Sequence, residues 1–183
     1  MLECDDDVLR LLDGPPLVPP GFEPQEPNRV AVTGRLTELR VADTCRRAPR
    51  AVLCLTTAAY TCGLLREPPP VAWLALPQGA NAVRVFEGDH RWIRWSYPGA
   101  FTVGITEYDV LGARVRWTDP ARTVVDLVRY GRHLRSLGPA VEAARRYAET
   151  GGDLDVLATV AADVGAPAAV MESIAMLVML LRS

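Results

Sequence analysis

Apolar and polar positions alternate over two short runs near the middle of the chain, Ile105 to Val110 and Ala113 to Trp117. Leu111-Gly112 separates them, which predicts a hairpin closed by a two-residue turn. The period then changes. Val124, Val125, Leu127 and Val128 recur at helical spacing behind Thr118-Asp119-Pro120. A helix is expected there, with Thr118 or Asp119 as its cap and Pro120 in its first turn, where no amide donor is needed. Arg122 and Asp126 lie four apart on this helix, and Asp126 and Arg129 three apart, spacings at which side chains meet.

The flanking segments follow the same logic. Arg35 to Arg47 carries Leu36, Leu39, Ala42 and Asp43 at spacings of three and four, so it reads as a helix. Val52 to Leu55 is a short apolar run. Thr56 or Thr57 is placed to cap a helix through Cys62, which Gly63 ends. Its small residues suit close packing on a sheet. Val71 to Leu76 and Val83 to Glu87 predict strands, and Gly88-Asp89-His90 predicts a turn into a third, Arg91 to Trp95. On that third strand Arg91, Ile93 and Trp95 share one face, and Trp92 and Arg94 the other. Downstream, residues 133–149 read as helical with a restart at Gly138-Pro139. Asp153 caps a helix from Leu154 to Val164, and Pro167 opens a last one to about Leu181.

That last helix is apolar nearly all round. At roughly 15 residues it is too short to span a bilayer. It must be buried in its own core or against another chain, and Met171, Met176 and Met179 would suit an adaptable interface. Strands in the middle and helices after them imply an α+β fold: a small, mostly antiparallel sheet with helices packed on one face and a helical C-terminal part. Residues 1–28 form an acidic, proline-rich N-terminal arm, with a helical fragment over Asp5 to Leu12 and prolines at 15, 16, 19, 20, 24 and 27. Residues 29–183 form the single α+β domain.

Composition narrows the function classes. The chain has 183 residues, 49% of them hydrophobic, and a net charge of −2, so a sizeable core is expected and a wholly basic nucleic-acid binder is not. The opening Met-Leu-Glu-Cys-Asp-Asp-Asp is the reverse of a signal peptide, which points to the cytoplasm. All 20 basic residues are Arg. Arg, Ala, Val and Pro are abundant, as in high-GC coding, so the Arg excess is not evidence of phosphate binding. The absence of Lys removes Lys-dependent phosphoryl transfer and the usual Lys-containing nuclease motif. Cys4, Cys45, Cys54 and Cys62, with His90 and His133, show no metal-ligand spacing. Cys45, Cys54 and Cys62 read as reduced core residues. No glycine-rich phosphate loop is present, and no cofactor is implied.

Three constellations remain. Arg114 and Arg116 project from one face of the second hairpin strand, and with Arg122 near a helix N-terminus they form a candidate basic patch. The plainer alternative is a solvated face balanced by Glu107, Asp109 and Asp126. Arg-Trp-Ile-Arg-Trp at 91–95, beside Arg84, offers Arg91 and Arg94 for phosphate and tryptophans for base stacking. Its alternative is a core strand with Arg stacked at its edge. Glu107 and Asp109 share a face and can pair on a metal ion, the starting point of a nuclease reading.

Three stretches resemble one family. They are Arg-Ala-Pro-Arg-Ala-Val-Leu-Cys-Leu-Thr-Thr-Ala-Ala-Tyr-Thr-Cys-Gly-Leu at 47–64, Val-Ala-Trp-Leu-Ala-Leu-Pro-Gln-Gly-Ala at 71–80, and Val-Arg-Trp-Thr-Asp-Pro-Ala-Arg-Thr-Val-Val-Asp-Leu at 115–127. In this order they resemble the C-terminal domain of the AbiEi-type antitoxins of type IV toxin–antitoxin systems. The likeness spans roughly residues 45–160. It implies a non-enzymatic regulator that counteracts a nucleotidyltransferase-like toxin, directly or functionally. Arg114, Arg116, Arg122 and Asp126 are then the first contact candidates, and Arg91 and Arg94 the second. Many members of this family open with a winged helix-turn-helix that binds operator DNA, and no such pair of helices can be placed before residue 29. A DNA-binding repressor whose reader is reduced or supplied by a partner is the alternative, and a metal-dependent nuclease the third. No membrane partner is implied. Oligomerisation through the last helix is open.

Overall fold

The structure, a computed structural model, describes residues 38–81 and 90–182. The N-terminal arm, the start of the first helix and the strand expected over Val83 to Glu87 lie outside the described residues. Among those described, the elements run α1 (Glu38–Arg47), β1 (Val52–Leu53), α2 (Leu55–Thr61), β2 (Ala72–Pro77), β3 (His90–Trp95), β4 (Ile105–Val110), β5 (Ala113–Thr118), α3 (Pro120–Arg129), α4 (Gly131–Leu134), α5 (Gly138–Glu149), α6 (Leu154–Asp163) and α7 (Ala168–Arg182).

The fold is α+β. Its sheet has five strands in the order β3-β2-β1-β5-β4. It is mixed, which corrects the mostly antiparallel expectation. β1 pairs antiparallel with β2 and β5 with β4, but β2 pairs parallel with β3 and β1 parallel with β5. β2 and β3 extend the sheet on one side of β1, and the β4–β5 hairpin extends it on the other. On β2 all of Ala72 to Leu76 is buried, whereas β5 alternates, with Ala113, Val115 and Trp117 buried and Arg114 exposed between them. α1 lies along β5, α2 lies against β2, and α3 is the hub that touches α2, α5, α6 and α7.

The central stretch forms as its pattern predicts. Leu111 and Gly112 both have positive φ, 51° and 71°, which is the turn geometry whose twist matches the strands it joins. Asp109 Oδ1 accepts the Gly112 amide at 3.0 Å and closes that turn. Asp119 is the α3 cap: its Oδ1 accepts the Arg122 amide at 2.7 Å, with Pro120 following. Thr118 has a different task. Its hydroxyl meets that of Thr123 at 2.7 Å in the interior, where Thr123 also donates to the Thr118 carbonyl.

The start of α2 departs from expectation. Neither Thr56 nor Thr57 caps it; Cys54 occupies that position without a side-chain bond. Thr57 Oγ1 instead accepts the buried Trp73 amide at 2.7 Å, tying α2 to β2. A donor in the interior needs a partner more than a helix start near water does. The expected small residues, Ala58 and Ala59, are fully buried. His90, expected in a turn, is the first residue of β3. The C-terminal helices restart and stop where Gly138-Pro139, Asp153 and Gly165 foretell.

Candidate interaction surface

α3 carries the densest polar cluster, and it is internal. Arg122 and Asp126 are both 0% exposed and joined at 3.0 Å through Nε and Oδ2. The guanidinium also donates to the Val103 carbonyl at 2.6 Å, the Tyr97 hydroxyl at 2.8 Å and the Ala100 carbonyl at 3.4 Å. Its carbon lies 5.0 Å from the centre of the Trp95 ring. Arg129 stacks on the other ring of this group, 3.8 Å from the centre of Tyr97, and donates to the Val164 carbonyl. One arginine therefore fastens the 97–104 loop to α3, and a second fastens the end of α6 to the same tyrosine. Gly104 makes the approach feasible. A Cβ there would lie 2.5 Å from Arg122 Cβ.

The electrostatics of this cluster are those of a tight interior. Burial pushes the Asp126 carboxyl up to about 6, against the pull of Arg122 and Arg129. Asp126 Oδ1 has no hydrogen-bond partner among the described residues, so burial is not fully compensated. Burial likewise raises the Tyr97 hydroxyl well above its ordinary range, and it raises Tyr130. The Arg122 guanidinium is held charged by Asp126, although its own burial opposes this.

This placement corrects the basic patch inferred from sequence. Arg122 and Asp126 are not on it. What remains at the surface is a triad on the hairpin. Glu107 faces Arg116 at 3.0 Å and Arg114 at 3.5 Å. Arg116 is further held by the Phe101 carbonyl at 2.8 Å, and Arg114, 79% exposed, projects into water. The sequence reading missed the loop carbonyls and Tyr97 as Arg122 partners, because a contact between residues 97 and 122 leaves no local pattern.

The second arginine group sits at the opposite side of the sheet. Arg91 and Arg94 on β3 are exposed, Trp92 is half-buried and Trp95 is buried. Arg91 lies 5.6 Å from the centre of the Trp73 ring, which is the plainer arrangement foreseen for this strand. β3 and β5 are three strand spacings apart, roughly 14 Å. Arg91 and Arg94 therefore do not join Arg114 and Arg116 in one patch.

Glu107 is committed to two arginines and Asp109 to the turn amide. Among the described residues, no group of three or more His, Cys, Asp or Glu is placed to hold a metal ion. Cys45, Cys54 and Cys62 are free and buried. Burial pushes the Cys45 thiol up to about 11 and raises those of Cys54 and Cys62 further. No described helix is long and apolar enough to cross a membrane.

No family model matches this chain, and no curated protein is detectably similar to it in sequence. The resemblance to the AbiEi-type antitoxins therefore rests on the three quoted stretches.

Proposed function

We propose that the chain is an antitoxin-like regulatory domain of a type IV toxin–antitoxin system. It counteracts a nucleotidyltransferase-like toxin in the cytoplasm, by surface contact rather than turnover. One observation carries this reading. The 115–127 stretch that bears the resemblance is the part of the chain where hairpin, cap and buried ion pair converge. Its residues specify a domain, and beside it Glu107 bridges the anchored Arg116 and the exposed Arg114 on the hairpin. Surface charges of both signs suit recognition of a partner. Co-expression with the product of the neighbouring gene tests the reading. Relief of growth arrest supports it, and arrest unchanged by soluble protein overturns it.

A DNA-binding regulator is the second reading. Exposed Arg94 lies on the same face of β3 as half-buried Trp92, with exposed Arg91 on the other face, and an arginine beside a tryptophan is suited to phosphate and base contact. Its mark is affinity for promoter DNA that falls steeply with salt and weakens in Arg91→Ala/Arg94→Ala.

A further inference from the structure

Exposed apolar side chains gather on two helices. On α7, Met176, Met179 and Leu180 are 60%, 66% and 62% exposed, against the burial expected for that helix. At the start of α5, Leu137 and Val141 are 56% and 41% exposed. The second group is set among charges of one sign. Residues 127–141 hold Arg129, Arg132, His133 and Arg135 and no acid. Arg129 is engaged with Tyr97 and the Val164 carbonyl, but Arg132, His133 and Arg135 are exposed. Leu137 folds back over Gly131, where an added Cβ would lie 2.5 Å from its Cδ2, so it stands beside Arg132. Leu137, Val141 and exposed Arg145 then follow at intervals of four along one side of α5. Among the described residues, Arg132, Arg135 and Arg145 form no ion pair. Glu142, next to Val141, lines the groove beside residues 65–70 instead. Other neighbouring arginines are engaged: Arg114 and Arg116 by Glu107, Arg47 by Asp43, and Arg46 by the Leu111 carbonyl.

We infer that the acidic N-terminal segment, residues 3–12, docks on this corner of its own chain. The segment lies outside the described residues, and its sequence supplies the match. Glu3, Asp5, Asp6 and Asp7 come first, then Val8, Leu9, Leu11 and Leu12, with Arg10 the only basic residue. The corner has the same order in opposite sign: Arg132, His133 and Arg135, then Leu137 and Val141. Opposite charges beside an apolar contact select the partner and fix its register. The α7 face offers no such match, because Arg182 beside it is already held by Asp155 at 2.7 Å. The tether also reaches. Residues 13–37, 25 in all, include the proline-rich stretch and span up to about 75 Å when extended, whereas a domain of this size is about 40 Å across. Tethering holds the segment at an effective concentration in roughly the millimolar range, so a contact with a Kd of about 1 mM forms in about half of the molecules. While it holds, Leu137 and Val141 are covered, and Arg132 and Arg135 are closed to other acidic partners.

A nitroxide label on Cys4 of the full chain tests this by nuclear magnetic resonance. Cys45, Cys54 and Cys62 are buried, which directs the reagent to Cys4. Amide signals of residues 131–142 should lose about half of their intensity or more, while those of β3 and α7 keep theirs. Salt at about 1 M, where the Debye length is about 3 Å, should restore the lost signals. Arg132→Glu/Arg135→Glu, at exposed positions and with an unchanged circular dichroism spectrum, should restore them too. Asp5→Arg/Asp7→Arg added to that variant should bring the loss back. A uniform loss over the surface, a loss centred elsewhere or none at all overturns the proposal. So does a pattern indifferent to the charge reversals, or one that arises only between isotope-labelled and nitroxide-labelled copies in a mixture.

Discussion

Arg122 and Asp126 form an ion pair one helical turn apart that no water reaches, and the same guanidinium binds two carbonyls and a hydroxyl of the 97–104 loop. A charge pair in this position is costly to bury, yet costlier to break. Its worth lies in geometry: it fixes one loop on one helix, beside the hairpin.

Loss of one partner should therefore be severe. Arg122→Met leaves a buried carboxylate unpaired and should destabilise the fold by roughly 3–5 kcal/mol. Arg122→Met/Asp126→Leu should recover part of that, because no unpaired carboxylate remains. Urea denaturation of the two variants and the parent checks the order.

Asp126 should also give stability a pH dependence. Its folded value, about 6, is raised above that of the unfolded chain, so its contribution is complete below about pH 4 and is lost as pH rises through about 6. The loss amounts to at most roughly 3 kcal/mol. Denaturation midpoints from pH 4 to 7.5 should fall relative to those of Asp126→Asn, which lacks the titration.

Two glycines with positive φ should respond differently to Ala. Gly104, at +61°, faces Arg122 Cβ, whereas Gly112, at +71°, opens onto empty space. Gly112→Ala should cost about 1 kcal/mol, the strain of a left-handed backbone. Gly104→Ala adds a clash against a residue that cannot move and should cost several times as much, read as a larger drop in Tm.

Thr57 and Thr56 make a similar contrast. Thr57→Val removes the acceptor of the Trp73 amide, Thr57 Oγ1 at 2.7 Å, and should cost about 1–3 kcal/mol. Thr56→Ala leaves both that bond and the start of α2 in place and should stay within about 0.5 kcal/mol. Chemical denaturation distinguishes them.

Local patterns announced most of the architecture. The hairpin, the Asp119 cap with Pro120, the restart at Gly138-Pro139 and the stops at Gly63 and Gly165 are local events, each decided by a few adjacent residues. The parallel pairing of β1 with β5 is not local, since Leu53 meets Trp117 across the chain. Thr57 looked like a cap because sequence does not show that the Trp73 amide lies nearby. Arg122 looked like surface for the same reason: its partners Tyr97, Ala100 and Val103 are about 20 residues away. An apolar helix implies burial, but sequence does not say by which chain. Met176, Met179 and Leu180 thus remained exposed.

The growth of cells expressing the neighbouring gene's product tests the central claim most directly. The wild-type chain should relieve arrest, while Arg114→Glu, changed at an exposed side chain and verified as folded by circular dichroism, should relieve it less. Soluble wild-type chain that leaves the arrest intact would contradict the account.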